Sequence, residues 1–266
     1  MQPNLIVIGA QKCGTSALHY YLRQHPEIAM SKPKELNFFI EKRNWGQGVD
    51  WYSGHWEGSE PVRGEASPNY TAHPHFAGVP EKMHSVVPDA KLIFLVRDPV
   101  SRMVSQYVHN YTKRAEHRDI ATTLLDESKT YLHRSRYMFQ VEQFLPYFPR
   151  ESFLILDSGD LRDDRMATLA RIFRFLGVAD DFTSKKYKEE KHRTADKERL
   201  SRFGAWSLNN LPRPLYNRMR RRLPLGKPVD RPVIEDSLQT ELVERLKPDA
   251  DRFREFSGES FENWSV

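Results

Sequence analysis

The sequence predicts an α/β protein built on a central parallel β-sheet flanked by helices on both faces. Strand and helix patterns alternate from residue 5 to about residue 177, and parallel strands joined by crossover helices produce such an order. The run Lys91-Leu-Ile-Phe-Leu-Val-Arg97 is apolar between two charges, as a strand covered on both faces requires. At the start of the chain, a four-residue apolar run enters a glycine-bounded loop and then a helical pattern. There is no internal repeat.

Leu5 to Ile8 form the first strand, Gly9 to Gly14 a tight loop, and Thr15 to Arg23 the first turns of a helix. N–H groups at a helix start lack intrahelical partners and carry the positive end of the macrodipole, so this geometry suits an anionic ester. The spacing Gly9-x4-Gly14-Thr15-Ser16 is P-loop-like, but Thr15 stands where a nucleoside triphosphatase has its lysine. The lysine lies inside the loop instead, as Lys12. A plain glycine turn with no ligand is the alternative. Cys13, the single cysteine, excludes an internal disulfide and fits the loop as a small residue, with a reactive thiol as the other reading.

Further on, Ile28 to Met30 reads as a second strand, followed by a loop through Lys32-Pro-Lys-Glu35. Loops after parallel strands gather on one sheet edge, which places Glu35 near any phosphate in the first loop. Residues 41–60, with Trp45, Trp51, Tyr52 and Trp56, either line a pocket or pin a loop onto the core. Val62 to Tyr70 is a strand running into a turn, then a helix through about residue 86. After the Lys91–Arg97 strand, Asp98 and Pro99 signal a helix start. Arg97 therefore sits at the carboxyl end of a strand, and Ser105 about two turns into the next helix. An arginine fork there matches phosphate oxygens, with a salt bridge to Asp98 or to another acid as the alternative. Arg136 to Tyr147 is helical, Ser152 to Asp157 is a strand, and Arg165 to Leu176 is an amphipathic helix closed by Gly177.

From Thr183 the character changes. Ser184 to Arg193 is charged without core periodicity, and Pro212 to Arg231 carries Arg218, Arg220, Arg221, Arg222 and Lys227. Such a segment lies across the surface as a lid, or contacts an anionic acceptor or a membrane surface through Arg218–Arg222. A last helix, about Ser237 to Phe256, carries Leu238, Leu242, Leu246 and Phe253 on one stripe. The expected organisation is one domain: a core over 1–182, a basic lid over 183–235, and a C-terminal helix over 236–266 that packs on the core. At 266 residues such a chain buries a sizeable core without staples. The net charge of +5 and isoelectric point near 9.2 favour an anionic ligand, a solvated basic surface being the alternative. The basic segment lacks interleaved aromatics, so no nucleic-acid partner is expected. The first apolar run is too short for a leader or a span, and the expected location is cytoplasmic, with the ectodomain of a longer protein as the alternative.

Taken in order, these residues resemble the sulfotransferases that use 3′-phosphoadenosine 5′-phosphosulfate (PAPS), and within them the heparan sulfate sulfotransferases and their bacterial relatives. The resemblance is carried by Gln11-Lys-Cys-Gly-Thr-Ser16, Lys34-Glu-Leu-Asn-Phe-Phe39, Gly64-Glu-Ala-Ser-Pro-Asn-Tyr70, Arg97-Asp-Pro-Val-Ser-Arg102 through Ser105, and Arg136-Tyr137 with Gln140. Phe175-Leu-Gly-Val178, Leu246-Lys-Pro-Asp249 and Trp264 extend it. It implies a P-loop-like fold and transfer of a sulfuryl group from PAPS to a hydroxyl, or an amine, of a glycan, glycolipid, lipid or small-molecule acceptor. Adenosine 3′,5′-bisphosphate (PAP) is then the product.

The same resemblance assigns roles. Gln11, Lys12, Cys13, Gly14, Thr15 and Ser16 hold the 5′-phosphosulfate, and Lys12 offsets charge on the leaving oxygen. Arg97 and Ser105 grip the 3′-phosphate. Glu35 is the general base, its pKa raised by partial burial, with a structural ion pair to Lys34 or Lys12 as the alternative. Lys34, Asn37, Phe38, Ser67 and Tyr70 face the acceptor. No metal is expected, because lysine and backbone donors supply the positive field.

The chain also departs from those relatives. Ala66 replaces a lysine, Asn37 replaces a histidine, and one cysteine cannot build their disulfide-tied 3′-phosphate loop. Lys191 and Arg193 are the expected substitutes for that loop. A nucleotide kinase is the first rival, yet it needs a lysine at position 15 and a carboxylate at a strand end. A non-catalytic nucleotide-binding relative is the second. Oligomeric state is not legible in the sequence.

Overall fold

The structure is a computed structural model that describes residues 1–189, 198–220, 222–223, 226–228 and 232–266. Five strands, β1 (Leu5–Gly9), β2 (Ile28–Met30), β3 (Val62–Ala66), β4 (Lys91–Val96) and β5 (Phe153–Asp157), form one sheet in the order β2-β3-β1-β4-β5. All its pairings are parallel, with Leu5 opposite Gly64 on one side and Lys91 on the other. Helices flank the sheet, as the alternating pattern requires. Strand β1 is buried along its whole length, and Leu92 to Val96 are fully buried. β1 lies between β3 and β4, so the chain crosses from one half of the sheet to the other beside it, the place where open α/β sheets leave a crevice at their carboxyl ends.

Helix boundaries follow local chemistry. The helix Pro99–Thr112 begins with Pro99 and is capped by Asp98, whose carboxylate accepts from Ser101 N at 2.7 Å. Gly177 closes Arg165–Leu176 at φ +78°, a conformation that costs glycine little. The last helix, Asp236–Ser257, buries Leu238, Leu242, Leu246 and Phe253, the stripe the sequence predicts. Its leucines pack against Val100, Met103, Val104 and Val108. Beyond it, Trp264 stacks on Phe261 and donates to Asp157 Oδ2 at 2.8 Å, and Ser265 N donates to Asp98 Oδ2 at 2.7 Å. The chain end is thereby fastened to the carboxyl ends of β4 and β5.

Several expectations need correction. The helix expected directly after Tyr70 begins only at Val79, because Pro74 cannot continue a helix and restricts the residue before it. Two short helices, Ile120–Leu125 and Thr130–His133, occupy a stretch where no pattern announced them. Residues 41–60 pin a loop onto the core: Tyr52 is buried and stacked on Phe38 at 4.2 Å, and Trp56 donates to Ala29 O at 3.1 Å. The basic segment contains helices Arg202–Asn210 and Arg213–Arg220, and a short antiparallel pair, β6 (Glu198–Leu200) with β7 (Gly226–Pro228). Tyr216 holds the two helices together against Leu208, Leu211 and Met219. Among the described residues no helix is long and apolar enough to cross a membrane.

One charge lies inside the sheet. Glu65 on β3 is fully buried; its Oε1 accepts from Tyr52 and Tyr70 at 2.7 and 2.6 Å, and its Oε2 from Ser67 at 2.8 Å. Ser67 Oγ in turn accepts from Asn37 N at 3.0 Å. Glu65 thus anchors from behind the loop that carries Glu35.

Burial pushes the Glu65 carboxyl from 4.5 up to about 7, against the lowering effect of its hydroxyl donors. With the folded value above the unfolded one, its contribution to stability is full below about pH 4.5 and is lost as pH rises through about 7. The stability of wild type relative to Glu65→Gln should therefore fall between about pH 5 and about pH 8, read from urea midpoints. A constant difference would contradict the assignment. At the C-terminal helix, Leu242→Ala should cost about 2–5 kcal/mol in the same assay; a loss below about 1 kcal/mol would show that the helix is not part of the cooperative core.

Candidate active site

The first loop owes its shape to glycine. A Cβ on Gly9 would lie 2.0 Å from Thr71 Oγ1 and 2.8 Å from the Phe94 ring, so no larger residue fits where β1 ends. Lys12 and Gly14 both take positive φ, +75° and +92°. The loop is closed by Ala10 N donating to Leu95 O at 2.6 Å and Cys13 N donating to Ala10 O at 3.2 Å. Gly14 O accepts from Ala17 N and Leu18 N, which starts the helix Thr15–Leu22. The N–H groups of Thr15 and Ser16 fall in its first turn and have no intrahelical acceptor. Strand, loop and helix form the phosphate-cradle geometry expected of this stretch.

Positive charge surrounds the loop. Arg97 follows β4 directly, and its charge acts on the Cys13 thiol. Tyr137 ties the two together, donating to Arg97 O at 2.8 Å while its hydroxyl lies 3.7 Å from Cys13 Sγ. Asp98 spends its carboxylate on Ser101 and Ser265, so the alternative salt bridge is not formed; among the described residues no acid ion-pairs with Arg97. Arg102 is fully buried and donates to Ser135 Oγ, Gln106 Oε1, Tyr131 O and, at 3.4 Å, Gln11 O, bracing the loop from beneath. Ser105 is buried on the same helix. Burial pushes the Cys13 thiol up to about 11, which keeps it protonated and removes the reactive-thiol reading.

The second element of the site is the loop after β2. Lys34 Nζ donates to Thr15 Oγ1 at 3.2 Å and to Glu35 Oε1 at 3.0 Å. One ammonium thus joins the start of the first helix to the carboxylate expected to act as base. Glu35 is 42% exposed, more than the partial burial expected of it, and its ion pair is with Lys34. Asn37 takes φ +49°, donates from Nδ2 to Glu35 O at 3.3 Å and accepts at Oδ1 from Asn69 at 3.0 Å.

Three expected acceptor contacts are corrected. Phe38 and Ser67 are fully buried and Tyr70 is 2% exposed. Phe38 stacks on Tyr52, while Ser67 and Tyr70 spend their hydroxyls on Glu65. All three shape the loop from behind. Lys191 and Arg193 lie outside the described residues. A cavity of about 250 Å³ lined by Tyr70, His73, Phe76, Gln140, Phe144 and Tyr147 sits beyond Tyr70 and shares no residue with the first loop, Glu35 or Arg97.

Sequence reasoning missed Glu65 and Arg102, and a signal for each existed. Glu65 is the one acid of its strand, set between the small residues Gly64 and Ala66, and Arg102 lies one turn after Asp98 beside Val100, Met103 and Val104. Arg134, buried at 6% exposure and donating to Asn69 Oδ1 at 3.1 Å, had none.

The chain matches the family described as the sulfotransferase domain over residues 2–204. It is 31% identical over 201 residues to the bifunctional heparan sulfate N-deacetylase/N-sulfotransferase 3 of Homo sapiens, covering 66% of this chain and 22% of that protein. It is 29% identical to the heparan sulfate glucosamine 3-O-sulfotransferase 5 of Homo sapiens (66% of this chain, 54% of that one) and 41% identical over 110 residues to the membrane-associated sulfotransferase kil1 of Dictyostelium discoideum (40% and 22%). The match to the N-sulfotransferase thus spans about a fifth of that relative's length. Among solved structures, a sulfotransferase from Alicyclobacillus acidocaldarius superposes over 100% of both chains with a TM-score of 0.75 at 24% identity, which shows a shared fold. On the extent of the family match, with strand, loop and helix arranged as that family's fold requires, the chain belongs to the sulfotransferase family.

Proposed function

We propose that this chain moves a sulfuryl group from PAPS to an acceptor hydroxyl or amine, with Glu35 taking the acceptor proton. The observation that carries the reading is the Lys34 bridge from Thr15 Oγ1 to Glu35 Oε1. It holds a base within one side chain of the helix start where an anionic ester is stabilised. The residues present fit the nucleotide: a glycine-shaped loop containing Lys12, open N–H groups at Thr15 and Ser16, and at the end of the neighbouring strand an arginine with no acid partner among the described residues. When bound, PAPS supplies the activated sulfuryl group. Lys12 and the helix start then offset charge growing on the leaving phosphate oxygen as the sulfur–oxygen bond to it breaks. Glu35 accepts the proton released as the new bond to the acceptor forms. Arg97 and Ser105 are assigned to the 3′-phosphate, and Lys191 and Arg193 to the same end. In this reading lysine and backbone donors provide the positive field without a metal.

The acceptor is proposed as a carbohydrate, lipid or small molecule. Two of the relatives are named for heparan sulfate, whereas here Ala66 is buried and places no cation beside Glu65. A peripheral contact with anionic membranes is proposed for residues 203–222: Phe203 and Trp206 stack on each other at 6.0 Å while exposed, and Leu215, Arg218, Arg220 and Arg222 are exposed nearby in sequence.

PAP should raise the melting temperature, ATP with Mg²⁺ should not, and Lys12→Ala should weaken the PAP effect. Stabilisation by ATP with Mg²⁺ alone would favour the kinase. With sulfur-labelled PAPS and a fractionated extract, Glu35→Gln should bind PAP normally yet lower the rate of label transfer about 10²-fold or more. Unchanged transfer would remove Glu35 from the chemistry. Trp206→Ala with Arg218→Ala should reduce sedimentation with phosphatidylserine vesicles, and an unchanged bound fraction would reject the membrane contact.

A further inference from the structure

Arg134 is a buried cation that the chemistry above does not use. It follows the short helix Thr130–His133 and is 6% exposed. The one hydrogen bond of its guanidinium among the described residues runs from Nη2 to Asn69 Oδ1, while Nε and Nη1 are buried with no partner there. Among the described residues no acid forms an ion pair with it. Fixed guanidinium donors withdrawn from water and left unmatched are costly, and native structures seldom tolerate them without a reason.

The surroundings show what would match them. Asn69 donates to Asn37 Oδ1, and Asn37 donates to the backbone oxygen of Glu35, so Arg134 is connected by two asparagines to the proposed base. Among the described residues the charges that act on it are those of Arg102 and Arg43 and of one acid, Glu35. His75 feels Arg134 together with Lys42 and Arg43. Lys42 and Arg43 are exposed, forming a cationic rim above the buried guanidinium, and burial together with these charges holds His75 below its ordinary pKa and so uncharged near neutral pH. Desolvation and these like charges pull the Arg134 guanidinium down to about 9, so an anion placed there would relieve both.

We propose that Arg134 is an acceptor-binding residue that receives an oxyanion, a carboxylate or an existing sulfate ester, on a molecule whose reacting hydroxyl or amine faces Glu35. This rests on the sulfotransferase reading and narrows its acceptor class to anionic molecules. It also supplies a positive charge beside the base in a chain with alanine at position 66.

The test uses PAP-saturated protein and three sugar probes: methyl β-glucuronide, glucose 6-sulfate and the neutral methyl β-glucoside. Binding is followed by the arginine Nε–H signals in NMR spectra, Arg134 being assigned by its loss in Arg134→Gln. At least one acidic probe should shift the Arg134 signal saturably while the glucoside does not. Arg134→Gln should weaken that probe about tenfold or more, Arg134→Lys should retain part of the affinity, and PAP affinity should not change. The proposal is overturned if neither acidic probe moves the signal, if the glucoside binds as well, or if the preference survives Arg134→Gln. Should Arg134→Gln fail to fold, the wild-type titrations together with Arg134→Lys decide the matter. Failure of PAP to bind would instead count against the nucleotide site, and the same titrations without PAP would still report on Arg134.

Discussion

A single ammonium sets the geometry on which the proposed chemistry depends. Lys34 holds the hydroxyl of Thr15, at the positive end of the first helix, and the carboxylate of Glu35 at the same time. An ion pair whose acid is 42% exposed contributes at most about 1 kcal/mol to stability. Its value is positional: it keeps the proposed proton acceptor beside an electropositive helix start.

That bridge is held from behind. The loop bearing Lys34 and Glu35 is fastened through Asn37 N to Ser67, through Ser67 to Glu65, and through Glu65 to Tyr52 and Tyr70. Phe38, stacked on Tyr52, buries the other face of the loop. On the side proposed for the nucleotide, Arg102 reaches Gln11 O, and Tyr137 links Arg97 to Cys13. A buried hydrogen-bond network of this kind rigidifies what it touches, so both sides of the proposed site are fixed to the same sheet.

How much of this was legible in the sequence depends on the range of the signal. The β1 strand, its glycine loop, the Asp98 cap, the Gly177 stop and the Leu238–Leu242–Leu246–Phe253 stripe are patterns within a few residues, and the structure has each of them. What escaped needs a distant partner. Phe38 looks like a ligand contact until Tyr52 covers it, and Tyr70 looks free until Glu65 accepts its hydroxyl. The basic segment reads as loop by its charge, yet one buried tyrosine, Tyr216, suffices to pack two helices. Arg134 carries no local sign at all, because what sets it apart is that no acid among the described residues pairs with it.

The account stands most directly on where one adenosine bisphosphate sits. A crystal structure with PAP should show the 5′-phosphate on Lys12, Thr15 and Ser16, the 3′-phosphate on Arg97 and Ser105, and the Glu35 carboxylate facing the 5′ end while still bound to Lys34. A nucleotide bound elsewhere, or one whose 5′ end points away from Glu35, would contradict it.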